Sequence, residues 1–230
     1  PITRIPGIGG GAFPVAQYAG AWAVKEGWLG ADGTVYDQRA GLGTARTRQP
    51  KRGVTLTAAS GEYGDAGVFD LSGWETFHFG GWFKTTNSAA QTFLFAIMHT
   101  SSDDLRISLS ATGVPTVDLD DTTLNGPDSV QLSAGYNDGL WHYLDVVFDG
   151  SNLTVSTYDA NGRLEESVTE TGGSFDFDGA DGTTRIGGRP TGGFYFDGQL
   201  YGFKFGQSAT NLAAYWLFED DSREIAADSS

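Results

Sequence analysis

From residue 54 onward, apolar and polar residues alternate in short runs broken by Gly and Asp. VTLTA (54–58) alternates, and FHFGGWFKTT (77–86) puts Phe77, Phe79 and Gly81 on one face and His78, Gly80 and Trp82 on the other. Successive side chains on a strand point to opposite faces, so each such run predicts a strand with one buried side. QTFLFAIMHT (91–100), LRISLSA (105–111), TTRIGGR (183–189), GFYFDGQLYGFKFG (193–206) and LAAYWLF (212–218) predict further strands. LWHYLDVVFDG and NLTVSTYDANG predict a hairpin closed by the turn DGSN (149–152). GEYGDAGVFDLSGW (61–74) is dense in turn signals. No convincing helix exceeds two turns. Short strands between Gly and Asp turns predict an all-β, antiparallel β-sandwich of the jelly-roll kind.

The rest of the chain adds an arm to this body. Residues 1–14, PITRIPGIGGGAFP, are rich in Gly and Pro and predict an extended N-terminal arm that could lie on a neighbour. Residues 15–230 are expected to form one sandwich. RAGLGTARTRQPKR (39–52) gathers Arg39, Arg46, Arg48, Lys51 and Arg52, five of the 14 cations. It is either a solvated loop or a docking patch for an acidic neighbouring subunit. The formal net charge is −15. That charge argues against nucleic-acid binding, which needs clustered Lys and Arg to neutralise phosphates. It favours solubility. There is no cysteine, so disulfides, thiolate nucleophiles and Cys-ligated zinc are excluded. No apolar run reaches the length of a membrane span, and the opening residues lack the apolar centre of a secretory leader.

His142 is the first candidate for chemistry. Alternation sets His142, Leu144, Val146 and Phe148 on one face, and Trp141, Tyr143, Asp145 and Val147 on the other. Three large apolar residues mark the first face as core. His142 is therefore expected at the edge of the core, bonded to backbone. A catalytic base needs a nucleophile or water and an orienting acid, and the sequence displays no such set around His142, His78 or His99. EDDSRE (219–224) holds Glu219 and Glu224 five apart, so on a strand they face opposite ways and do not make a paired-carboxylate site. No catalytic residue is expected.

The order of four motifs carries a resemblance. They are FGGWFKTT, then the paired-strand region QTFLFAIM and LRISLSATG, then DGLWH (138–142) opening a hairpin, then RIGG (185–188) preceding the aromatic-Gly strand from Phe196 to Phe203. Over residues 54–206 this resembles the laminin G-like and pentraxin-like branch of the concanavalin A-like jelly rolls. YWLFEDDSREIAADSS, of a kind that usually opens such modules, here closes the chain.

The resemblance implies calcium as the cofactor. Ca²⁺ takes six to eight oxygens from loop carboxylates and carbonyls. Asp176, Asp178 and Asp181 in DFDGADG, and Asp118, Asp120 and Asp121 in DLDD, are the candidate ligands, with solvated turn acids as the alternative. Aromatic faces can stack on the C–H faces of sugars, and Trp22, Trp28, Trp74, Tyr136, Tyr195 and Tyr201 are the candidates for this. The expected function is a non-enzymatic structural or binding module on a virion surface, meeting other virion proteins or its own copies through the arm and contacting cell-surface glycans. The alternative is a carbohydrate-binding or adhesion module of a larger secreted protein. A glycan hydrolase or lyase is the third reading.

Overall fold

A computed structural model gives the structure of the chain. It describes residues 53–98, 104–120, 129–171, 182–216 and 218, with Asp120 by its backbone alone. Nearer the N-terminus it describes the backbone of four short strands. Two compact units divide between Gln49 and Pro50. The first contains β1 (Trp22–Val24), β2 (Gly27–Leu29), β3 (Val35–Asp37) and β4 (Ala45–Arg46), antiparallel neighbours in that order. Residues 1–14 lie outside the described residues.

The second unit is a sandwich of two antiparallel sheets. It was expected from residue 15, but its described strands begin at Val54. The larger sheet runs β14 (Leu164–Thr171), β13 (Asn152–Tyr158), β12 (His142–Phe148), β7 (Phe77–Lys84), β16 (Gly198–Gly206) and β17 (Leu212–Trp216), with β5 (Val54–Leu56) paired to β16. The other runs β11 (Ser129–Gln131), β10 (Pro115–Asp120), β9 (Asp104–Leu109), β8 (Thr92–Met98), β15 (Gly182–Ile186) and β6 (Gly64–Phe69). Among the described residues the only helical piece is a single 3-10 turn, Ala58–Ser60, and no helix is long and apolar enough to cross a membrane.

Alternation selects the core. Phe77, Phe79, Leu144, Val146, Phe148, Leu153 and Val155 are all at most 2% exposed. They come from β7, β12 and β13 in the register Phe79↔Val146 and Val146↔Val155. From the facing sheet, Phe95 reaches Phe79 at 5.0 Å and Phe205 at 5.2 Å between ring centroids, which joins the layers. Full burial of each such side chain is worth about 1.5–3 kcal/mol. Gly80 and Gly81 make room at the sheet's centre: a Cβ on Gly80 would collide with the Tyr143 hydroxyl, and one on Gly81 with the Phe203 ring. The DGSN turn forms as expected, with the Asp149 carboxylate accepting from Ser151 N at 2.9 Å and Asn152 N at 2.8 Å.

Three segments differ from expectation. Residues 64–69, dense in turn residues, form edge strand β6. LEESVTET forms edge strand β14, mostly exposed and so without an apolar stripe. Asp118 and Asp120 were expected in a loop and instead belong to β10, where Val117 and Leu119 enter the core at 0% and 1% exposure.

Candidate functional site: an aromatic and arginine loop

The segment IGGRPTGGFYF (186–196) links β15 to β16 and carries the least ordinary backbone of the sandwich. Gly192 (φ 89°), Gly193 (φ 77°) and Phe194 (φ 54°) all lie in the left-handed region, and Phe194 is the one non-glycine to do so among the described residues. A Cβ makes that region costly, by about 1–2 kcal/mol. The loop is tied down on several sides. Gly192 N donates to Arg189 O at 2.8 Å, Phe93 N to Phe194 O at 3.0 Å, and Phe196 N to Gly187 O at 2.9 Å. The strained backbone turns the Phe194 ring outward, 44% exposed, with the buried Phe93 ring edge-on at 5.7 Å.

Next to it, Tyr195 stacks on Tyr63 at 6.1 Å with the rings 20° apart. Both rest on Gly188, where a Cβ would lie 3.2 Å from each tyrosine. The guanidinium of Arg185 sits 3.9 Å over the Tyr63 ring, and that of Arg189 lies 5.8 Å from the Phe194 ring centre. Arg185 Nη1 donates to Arg189 O at 3.1 Å, which ties the Arg185 side chain to the backbone of the loop. The Nε of each is buried and makes no hydrogen bond. Neither arginine makes an ion pair with a described carboxylate. The product is a half-open surface of three ring faces and two guanidinium groups.

The histidines sit in other places. His142 is buried, with Nδ1 2.8 Å from Glu165 and Nε2 3.0 Å from Asp138. Its partners are carboxylates, not the backbone expected. Burial alone would raise the Asp138 carboxyl, but bonds from His142 and from Leu140 N outweigh it and hold Asp138 below its ordinary value. Beside this group, Glu166 accepts from Ser133 N (2.8 Å), Ser133 Oγ (2.7 Å), Ala134 N (3.1 Å) and Tyr136 Oη (3.2 Å). Those bonds overcome the opposing effect of burial and lower its carboxyl. His78 is not isolated either: its Nε2 lies 2.7 Å from Asp145 on the outward side of the larger sheet. In the same row of that face, burial and then the Asp145 charge push the Tyr143 phenol well above its ordinary range.

Of the aromatics proposed from sequence, Tyr195 lies in the loop site. Tyr201 is half-buried on β16, in register with Trp82 and away from the loop. Trp74 stacks on core Phe205 at 5.5 Å and packs on the core. Tyr136 is 5% exposed, its ring against His142 and its hydroxyl on Glu166, so it offers no face to a ligand. The side chains of Trp22 and Trp28 lie outside the described residues, as do Arg39, Arg48, Lys51, Arg52, the Arg46 side chain, His99 and 219–224. Among the described residues no three His, Asp or Glu side chains gather to hold a metal, and Asp118 stands opposite Arg106 in strand register. Asp121, Asp176, Asp178 and Asp181 lie outside the described residues. The sequence reading passed over Tyr63, Arg185, Arg189 and Phe194. The run GGF, with a bulky ring directly after two glycines, was the one local signal.

Solved structures with this arrangement of strands include laminin LG domains. Mouse laminin alpha1 domains LG4-5 align over 74% of this chain and 46% of that one, at 14% identity and a TM-score of 0.53. The LG1-3 region of the laminin alpha2 chain aligns over 72% and 33%, at 14% identity and a TM-score of 0.51. The fold is the concanavalin A-like jelly roll. The chain spans less than half the length of those laminin chains. The Ruminococcus gnavus IT-sialidase CBM40 aligns over 65% of this chain and 86% of its own, at 14% identity and a TM-score of 0.45. No protein-family model and no curated protein matches the chain.

Proposed function

We propose that the jelly roll is a non-catalytic binding module that takes a saccharide on the ring faces of Phe194, Tyr195 and Tyr63. One observation carries this reading: a bulky ring is held outward, 44% exposed, on left-handed backbone. Strain of that kind gathers at ligand clamps. Aromatic faces held half-open suit the apolar C–H faces of sugars. Non-catalytic action is supported by the histidines, since the His142 and His78 rings are both buried with carboxylates as their partners. The proposed setting is a virion surface, to which the arm at 1–14 would bind the module, and its detection in purified particles tests that setting.

A saccharide array screened with the purified protein tests the binding reading. The expected result is selective binding that Phe194→Ala and Tyr195→Ala each weaken by roughly five- to tenfold, the loss of one aromatic contact of about 1 kcal/mol. Binding that survives both substitutions, or turnover of any saccharide on the array, overturns it.

A further inference from the structure

We infer, resting on that saccharide reading, that Arg185 and Arg189 form an anion subsite beside the rings, so that the ligand is an acidic saccharide carrying a carboxylate or a sulfate. The chain as a whole is strongly acidic, with 29 Asp and Glu against 14 Lys and Arg. Arg185 and Arg189, neither of them paired with a described carboxylate, are therefore out of keeping with the charge of the chain. Arg185 has an acid opposite it in strand register, Asp65, yet the Asp65 carboxylate accepts from Gly67 N at 3.0 Å and makes no ion pair with the arginine. Compare Arg163 and Arg106, which stand within 3.6 Å and 3.7 Å of Asp159 and Asp104. The two arginines of the loop are held by rings and a carbonyl instead.

That arrangement preserves what an anion needs. Guanidinium carries five N–H donors in a planar fork that matches a carboxylate or sulfate. Arg185 spends one donor on the Arg189 carbonyl. Ring stacking fixes its plane without using the others. An anion that accepts from these guanidinium groups gains charge-assisted hydrogen bonds. The rings beside the pair then select for an acidic group borne on a sugar over a free ion.

The test compares saccharides that differ only in charge: tetragalacturonate against its methyl ester, and 3′-sulfolactose against lactose, all at one ionic strength. At least one acidic member is expected to bind tenfold or more tighter than its neutral partner. Arg189→Gln is expected to erase that difference while leaving the affinity for the neutral partner in place. Arg185→Lys keeps the charge and loses the fork, and is expected to reduce the preference while the melting temperature reports that the fold is intact. Equal affinity within both pairs, or a preference that persists in Arg189→Gln, overturns the anion subsite and leaves the saccharide platform standing. Absence of binding to these probes and to the whole array overturns both.

Discussion

At the scale of single residues, Phe194 is where stability and binding diverge. Its left-handed backbone costs about 1–2 kcal/mol. Its edge contact with Phe93 recovers about 0.5–1.5 kcal/mol. Phe194→Gly removes both terms, so the stability is expected to change by between a loss of about 0.5 and a gain of about 1.5 kcal/mol. Truncating a core phenylalanine costs roughly 3–5 kcal/mol. A urea titration therefore separates the two roles: a loss in the core range would make Phe194 a packing residue, whereas unchanged stability with lost saccharide binding is what a ligand clamp gives.

Single elements show where electrostatics outweighs burial. The start of β14 puts Glu165 and Glu166 against the loop 132–138, with His142, Asp138 and Tyr136 facing them. Burial pushes the Tyr136 phenol up, and the nearby Glu166 charge adds to it, so this tyrosine stays neutral as a donor. Glu166 and Asp138 are both held below their ordinary values. A depressed carboxyl contributes stability that is complete above its unfolded value and is lost as pH falls through its folded value. The corner is thus expected to weaken on acidification below the ordinary carboxylate range, while neutral pH leaves it intact. Glu166→Gln should lower stability by about 1–2 kcal/mol at pH 7 and flatten part of the acid dependence. Denaturation midpoints for both proteins from about pH 7 to pH 3 check this, and parallel curves would assign the acid sensitivity to other groups. The same corner shows why the sequence was only partly legible. Strands β7, β12 and β13 announce themselves because core residues alternate with polar ones. Strand β14 does not, because an edge strand with both faces mostly wet has no apolar period to display. The Glu166 clamp and the Glu165 contact of His142 depend on residues 23 to 33 positions apart, which a local pattern does not encode, whereas Asp138 lies four positions from His142. The loop site was hidden for a related reason: Tyr63 comes from just ahead of β6, far from the loop in sequence and joined to it by strand pairing, and Phe194 is distinguished by its backbone angle alone.

For the whole molecule the governing quantity is the net charge of −15. Uncompensated charge of one sign opposes the compact state, and salt relieves the repulsion because charges further apart than about 10 Å are screened at 0.1 M. Salt also weakens favourable pairs, so the sign of its effect depends on which population is larger. Among the described residues, the arginine–carboxylate pairs stand at 3.6 Å and 3.7 Å, longer than good hydrogen bonds. A pair with an exposed arginine, such as Arg163–Asp159, contributes about 0–1 kcal/mol. The carboxylates that meet the histidines are themselves partly exposed, so salt screens them in part. Repulsion among the surplus acids therefore dominates, and stability is expected to rise with NaCl from about 10 to 300 mM, where the screening length falls several-fold. The urea midpoint at pH 7 measures it. Choline chloride at equal ionic strength should give the same shift, because screening depends on charge alone. A midpoint that stays flat or falls would mean that the acids are already compensated in the folded chain, and a rise confined to one cation would mean that this cation binds a site of its own.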